Sequence, residues 1–73
     1  MWLKFVRRND INRKTPLYDI VNSTGDNLGV IGFYPGWRKF VVEYRAGCKF
    51  DASCSQEIVD FLKSETEKWK ASL

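Results

Sequence analysis

Hydrophobic and polar positions alternate along most of the first fifty residues, with the two-residue period of half-buried β-strands. Glycine, proline and asparagine cluster between the alternating stretches and mark turns. The pattern therefore predicts four strands, over residues 2–8, 17–21, 28–34 and 38–45.

After residue 52 the period becomes helical. Apolar side chains recur three and four residues apart, at Ile58, Phe61, Leu62 and Trp69. Ser53, with a glutamine three residues later, has the form of a capping box, which predicts a helix over residues 54–70.

Strands followed by a single helix indicate an α+β fold. We expect an antiparallel sheet of three to four strands, arranged as a meander, with one C-terminal helix packed on one face. The 73 residues form a single domain, divided into a basic N-terminal strand and loop over 1–16, a β-meander over 17–50 and the helix over 54–70.

Pro35-Gly36 predicts a tight hairpin in which Tyr34 lies opposite Trp37. One sheet face then carries mainly apolar side chains with Arg38 at its end, and we assign it to the helix: Ile31, Phe33, Phe40, Val42 and Tyr44. The other face mixes apolar and charged side chains: Leu28, Val30, Tyr34, Trp37, Lys39, Val41, Glu43 and Arg45.

One helix can cover only one face of the sheet, so the mixed face is exposed or covered by a partner. A contiguous patch of aromatic and basic side chains is typical of an interface. The candidate binding residues are Tyr34, Trp37, Arg38, Lys39, Val41 and Arg45.

Trp37 and Arg38 have two interpretations. In the first, Trp37 anchors a partner or stacks on a base while Arg38 holds a carboxylate or phosphate. In the second, Trp37 closes the hairpin against Tyr34, and Arg38 lies over Phe33.

The net charge of +3 is concentrated in residues 1–16. A basic segment of this kind permits contact with nucleic acid, although it is more often simply solvated. The candidate nucleic-acid contacts are Arg7, Arg8, Arg13 and Lys14.

Several chemistries find no support in the sequence. The chain has no histidine, so it has no serine–histidine or cysteine–histidine arrangement. Cys48 and Cys54 are too few for a structural zinc site. We expect no enzymatic activity, no metal and no cofactor. No apolar run is long enough to span a bilayer, and the charges near the N-terminus follow the apolar residues, so we expect a cytoplasmic protein.

The stretch from Gly25 to Phe40 resembles a group of short phage- and prophage-type proteins of unknown function. Their pattern is Gly-x-x-Leu-Gly-x-Ile-x-Trp-Tyr-x-x-Trp-Arg-x-Tyr, followed by a cysteine that opens a helix of the form Ile-x-x-Phe-Leu. Phe33 and Phe40 replace the first Trp and the Tyr of this pattern, and Cys54 with residues 58–62 matches its second part. The resemblance implies a phage origin and binding to a host or phage protein in the host cytoplasm.

Two other kinds of partner stay open. The strand order is also similar to that of single-stranded-DNA-binding transcriptional coactivators, which bind on the sheet as dimers. This likeness is one of fold only. We expect the binding module to be a homodimer, and the two alternatives to a protein partner are a single-stranded nucleic acid on the exposed face and a small anionic ligand near Arg38 and Lys39.

Overall fold

A computed structural model describes residues 3–8 and 15–73. Its sheet has the strand order β1-β2-β3-β4, and every neighbouring pair is antiparallel. This architecture confirms the predicted meander followed by one C-terminal helix. The elements are β1 (Lys4–Arg7), β2 (Tyr18–Val21), β3 (Asn27–Tyr34), β4 (Lys39–Tyr44) and α1 (Ala52–Ala71).

The helix begins earlier than predicted, and the capping box at Ser53 is wrong. Asp51 is the N-cap: its backbone is extended, and its carboxylate accepts a hydrogen bond of 2.8 Å from the Cys54 N–H. This bond satisfies one of the backbone donors that the first turn leaves without a partner in the helix. Ser53 lies inside that first turn.

The core lies between α1 and the apolar sheet face, as predicted. Phe33 packs against Trp69 and Phe40, with ring centroids 4.6 and 5.6 Å away. Near the other edge of the sheet, Phe5 stacks on Phe61 at 4.2 Å. Among the described residues, the buried apolar side chains are Leu3, Ile20, Ile31, Phe40 and Ile58.

The β3–β4 hairpin is looser than the tight turn that Pro35-Gly36 predicts. Residues 35–38 form the loop, so Tyr34 lies opposite Lys39 rather than Trp37. The pairing differs from the predicted one by two residues. Since side chains alternate with a period of two, this shift by itself moves no residue of β3 or β4 to the other face.

A β-bulge between β2 and β3 corrects one assignment. Ile20 pairs with Gly29, but Val21 pairs with Asn27, so Leu28 is the extra residue. Its side chain packs against the core and not on the mixed face. A bulge interrupts the two-residue alternation locally, which explains the error.

Two polar contacts join α1 to the sheet. The Tyr18 hydroxyl donates to a Glu65 carboxylate oxygen at 2.5 Å, and the other oxygen of Glu65 accepts from the Lys68 ammonium at 3.0 Å. The Thr66 hydroxyl accepts a bond of 3.1 Å from the backbone N–H of Phe40. These contacts satisfy Glu65 and Thr66, the two polar residues that α1 buries, whereas the buried Oε1 atom of Glu57 has no hydrogen-bond partner in the described structure.

Candidate functional site

The tip of the β3–β4 hairpin carries two aromatic rings in contact. Trp37 packs edge-on against Tyr34, with centroids 5.0 Å apart and an interplanar angle of 68°. The Tyr34 ring also lies over Gly36, where an added Cβ would come within 3.0 Å of its Cε2 atom. Backbone bonds from the N–H groups of Trp37 and Arg38 to the Tyr34 carbonyl hold the loop in this shape.

The rings of this aromatic tip remain open to solvent. Trp37 is 67% exposed and Tyr34 is 47% exposed. Contact with Tyr34 therefore orients the indole but covers little of it. Tryptophan has the largest side chain of any residue, and most of the apolar surface of the Trp37 side chain remains available to a partner.

Arg38 completes the tip in an uncommon backbone conformation. It is exposed, and its φ of 53° makes it the one non-glycine residue with positive φ in the described part of the chain. Left-handed backbone costs an L-residue roughly 1–2 kcal/mol. The predicted contact of Arg38 with Phe33 is not formed, because the Phe33 ring lies under the helix against Trp69 and Phe40.

The sheet face away from α1, which we call the open face, is rich in valine. Each strand contributes one: Val6 is 48% exposed, and Val21, Val30 and Val41 are half-buried. Leu17 adds to this surface by lying over Gly32. No helix covers the open face in the described structure, although it is built from residues that usually lie in a core.

The end of the open face farthest from the aromatic tip is polar. Arg8 makes a two-pronged contact with the Asp19 carboxylate, at 2.6 and 2.9 Å. The Asn27 amide donates to the same carboxylate and accepts from Arg45. The hydrogen bonds from Arg8 lower the pKa of Asp19 below its usual value, outweighing the opposing effect of burial.

The structure divides the six predicted binding residues into two groups. Tyr34, Trp37, Arg38 and Lys39 lie together at the aromatic tip, and Val41 follows on the open face. Arg45 is six residues beyond Lys39 along the same strand direction, which places it roughly 20 Å away. A single small ligand cannot touch both groups.

The predicted basic clamp is not assembled by the described residues. Arg7 lies opposite Tyr18 on the helix side of the sheet, whereas the Arg8 side chain pairs with Asp19, which lies on the open face. The side chains of Arg7 and Arg8 therefore lie on opposite faces of the sheet. Arg13 and Lys14 lie outside the described residues.

Neither Arg38 nor Lys39 lies in a polar cavity of the described structure. Lys39 borders a groove of about 480 Å³ between β4 and α1, with a floor that includes Phe40 and Leu62. A mainly apolar groove of this kind does not favour a small anion, so capture of an anion near Arg38 stays a prediction from sequence. Within the described ranges, no group of histidine, cysteine or acidic side chains is arranged to hold a metal ion.

Tyr18, which lies in a cluster with Glu65 and Lys68, has the perturbed pKa that often marks an active site. Burial, followed by the hydrogen bond to Glu65, raises the pKa of Tyr18 to about 12. A phenol that stays protonated at neutral pH and donates to a carboxylate serves as a structural link between helix and sheet. We assign the cluster that role.

Sequence reasoning missed Glu65 and Thr66, and it assigned Val30 and Val41 but not Val6 and Val21 to the open face. A signal was present for Glu65, which falls midway between Phe61 and Trp69 on the apolar stripe of the helix. A carboxylate at such a position needs a buried partner. For Val6 and Val21, the signal was the two-residue alternation of their strands, which places each of them on the face opposite to Phe5 and Ile20.

Comparison of the chain with protein-family models, with curated proteins and with solved structures finds no match. The part of the chain that the structure describes contains no helix with the length and apolar character needed to cross a bilayer.

Proposed function

We propose that this protein is a small binding module without catalytic activity. Its contact surface is the aromatic tip together with the adjoining valines of the open face. The partner is a protein of a phage or of its host, as the resemblance to phage-type proteins implies, and the two meet in the host cytoplasm.

The exposure of Trp37 is the observation that carries this proposal. Tryptophan is strongly enriched among the residues that dominate binding energy at protein interfaces. Here its indole is two-thirds exposed, yet Tyr34 and the loop backbone hold it in one orientation. A large side chain that is already ordered loses little conformational entropy on binding, which favours affinity.

Two features around the tip support the same proposal. Arg38 keeps an unfavourable backbone conformation next to Trp37, and such local strain is concentrated at functional sites. The valines extend an apolar surface away from the tip, and Lys39 and Glu43 provide charges at its border. An apolar centre with a polar rim is the usual composition of an interface.

Single-stranded nucleic acid is the second candidate partner, because the exposed Trp37 ring stands next to Arg38 and Lys39. Aromatic rings and basic side chains together form the stacking platforms that bind unpaired bases. Glu43 in the same strand and the pairing of Arg8 with Asp19 weaken this candidate, since both reduce the positive charge of the open face. A protein partner is therefore our first choice.

The test is affinity capture from bacterial lysate with and without nuclease, read by mass spectrometry. Three baits are compared: the unaltered chain, Trp37→Ala and Leu73→Ala. Leu73 is 84% exposed and follows Trp69, which packs on the helix face of the sheet, so its replacement removes apolar surface outside the aromatic tip and the open face. Thermal unfolding of each bait verifies that it is folded.

We expect a discrete protein that survives nuclease, is retained by Leu73→Ala and is lost with Trp37→Ala. Captured material that disappears with nuclease, and binds less tightly as salt rises, would establish nucleic acid as the partner instead. Equal capture by all three baits would refute the role of the tip. Unfolding of Trp37→Ala would show that Trp37 serves to close the hairpin.

A further inference from the structure

A cavity of about 310 Å³ lies on the helix side of the sheet, between the C-terminal half of α1 and the point where β1 ends and β2 begins. Three aromatic side chains line it, those of Tyr18, Phe40 and Trp69. Its volume is at the lower end of the range for small-molecule sites, which is about 300–1,000 Å³. Apolar walls that carry a few polar groups are the usual form of such a site.

Arg7 brings to this cavity a positive charge that no carboxylate of the described structure neutralises. Its side chain lies on the helix side of β1, opposite Tyr18, lines the cavity and makes no ion pair among the described residues. Burial and the hydrogen bond to Glu65 raise the pKa of Tyr18 to about 12, and the charge of Arg7 opposes this rise. The guanidinium therefore lies close enough to act on the groups inside the cavity.

The other cation at the cavity, Lys68, already has a partner. Its ammonium contacts one oxygen of the buried Glu65 carboxylate at 3.0 Å, and the Tyr18 hydroxyl donates to the other oxygen at 2.5 Å. Two cations and one carboxylate leave one net positive charge in the cavity wall, and Arg7 carries it. A ligand with one negative charge would neutralise that charge.

The Trp69 ring provides a fixed flat wall. It packs against Phe33 with centroids 4.6 Å apart, and it is only half-buried, so part of the indole is open to the cavity. The end of the helix is held in place next to it, because the Ser72 hydroxyl donates to the Trp69 carbonyl at 2.8 Å. An ordered indole face favours a flat, unsaturated group on the ligand.

We propose that this cavity binds a small molecule that combines a planar ring with a single carboxylate. The carboxylate accepts two parallel hydrogen bonds from the Arg7 guanidinium, and the ring lies along the Trp69 indole. The volume suits a ligand of roughly ten non-hydrogen atoms, since a water molecule takes up about 30 Å³. A phosphate dianion fits less well, because the Glu65 carboxylate in the same wall repels a second negative charge.

This site goes beyond the proposed function, and it shares no residue with the aromatic tip. It also gives a role to Arg7, which the sequence places among the candidate contacts to nucleic acid. The small anion that the sequence predicts near Arg38 has a better-formed cavity at Arg7, where aromatic walls and an unpaired cation lie together.

The experiment is a two-dimensional NMR titration with benzoate, and its readout is the indole N–H signal of Trp69. The indole N–H signal of Trp37 serves as a reference within the same molecule. Arg7→Gln removes the charge, and Lys4→Gln is the matched control, because Lys4 is an exposed cation of the same strand on the other face. Acetate and benzyl alcohol are titrated as well, since the first lacks the ring and the second lacks the charge. Dispersion of the amide signals establishes that each variant is folded.

We expect benzoate to shift the Trp69 signal saturably, with a dissociation constant on the order of millimolar for so small a ligand, and to leave Trp37 unchanged. Arg7→Gln removes a charge-assisted pair of hydrogen bonds and should weaken binding by about tenfold or more. Lys4→Gln should bind as the unaltered chain does. Acetate and benzyl alcohol should each bind at least about tenfold more weakly than benzoate.

Absence of a saturable shift at Trp69 would overturn the proposal. So would equal affinity of Arg7→Gln and the unaltered chain, or acetate or benzyl alcohol binding as tightly as benzoate does. If Arg7→Gln does not fold, Arg7→Lys replaces it: this variant keeps the charge but loses the planar fork, and an unchanged affinity would contradict the proposed pairing. None of these outcomes depends on capture of a protein by Trp37, so failure of this site and failure of the proposed function are distinguishable.

Discussion

The Tyr18 hydroxyl donates a hydrogen bond of 2.5 Å to the carboxylate of Glu65, which lies 47 residues later in the chain. The bond joins the second strand to the second half of the helix. Glu65 is buried, and the ammonium of Lys68 contacts its other oxygen at 3.0 Å. A buried carboxylate with both oxygens partnered fixes the position of the helix without leaving an unsatisfied polar atom.

Removal of the Tyr18 hydroxyl tests this link. We expect Tyr18→Phe to lower the free energy of unfolding by about 1–3 kcal/mol, because one oxygen of a buried carboxylate loses its donor. Tyr34→Phe is the matched control: its ring is half exposed at the aromatic tip, and the loss should be within about 0.5 kcal/mol. Urea denaturation of the two variants measures the difference, and equal values would contradict the link.

Alkaline pH should weaken the same link. Burial and the hydrogen bond to Glu65 raise the pKa of Tyr18 from 10.0 to about 12. Because the folded pKa lies above the unfolded one, the stability that Tyr18 contributes is complete below pH 10.0 and is lost as the pH rises towards about 12. The difference in unfolding free energy between the unaltered chain and Tyr18→Phe should therefore shrink over that interval. A difference that stays constant there would argue against a perturbed tyrosine.

Relief of the strain at the aromatic tip should be measurable. Arg38→Gly removes the Cβ that disfavours positive φ, and we expect it to stabilise the fold by about 0.5–1 kcal/mol. Arg45→Gly makes the same chemical change where φ is not positive and also removes the hydrogen bond from Arg45 to Asn27, so it should destabilise the fold. Chemical denaturation gives both values. Destabilisation by Arg38→Gly would mean that a contact of the Arg38 side chain stabilises the fold by more than the positive φ destabilises it.

Two glycines of β3 should differ sharply when replaced by alanine. A Cβ at Gly29 would lie 2.5 Å from the backbone carbonyl oxygen of Glu43, which cannot move without breaking the sheet. A Cβ at Gly32 would meet only the Cδ1 atom of Leu17, at 2.8 Å, and that side chain can rotate away. We expect Gly29→Ala to cost about 2–3 kcal/mol and Gly32→Ala less than about 1 kcal/mol. Thermal unfolding of the two variants tests whether Gly29→Ala is the less stable one.

Much of the fold follows from local patterns. The two-residue period assigns Ile31, Phe33, Phe40 and Val42 to the helix face, and it does so even though the predicted turn is too short. An error of two residues in register preserves the face, so the prediction tolerates it. The bulge at Leu28 shifts the alternation of side chains by one residue, so the predicted face of Leu28 is wrong.

The remaining features depend on contacts that no local pattern encodes. Asp51 and Ser53 are both good N-cap residues, and the choice between them depends on where the chain enters the helix. Arg8 finds Asp19 only because β1 and β2 are neighbours. The sequence indicates an aromatic tip and an open face, but their separation from Arg45 becomes evident only from the strand register.

The dissociation constant of the captured protein partner tests the central claim most directly. Isothermal titration calorimetry compares the unaltered chain with Trp37→Ala, with Leu73→Ala as the control for loss of exposed apolar surface. Removal of a dominant interface residue costs about 2 kcal/mol or more, so we predict binding about thirtyfold weaker for Trp37→Ala and unchanged for Leu73→Ala. Equal affinities for all three proteins, with Trp37→Ala fully folded, would contradict the claim that the aromatic tip is the binding surface.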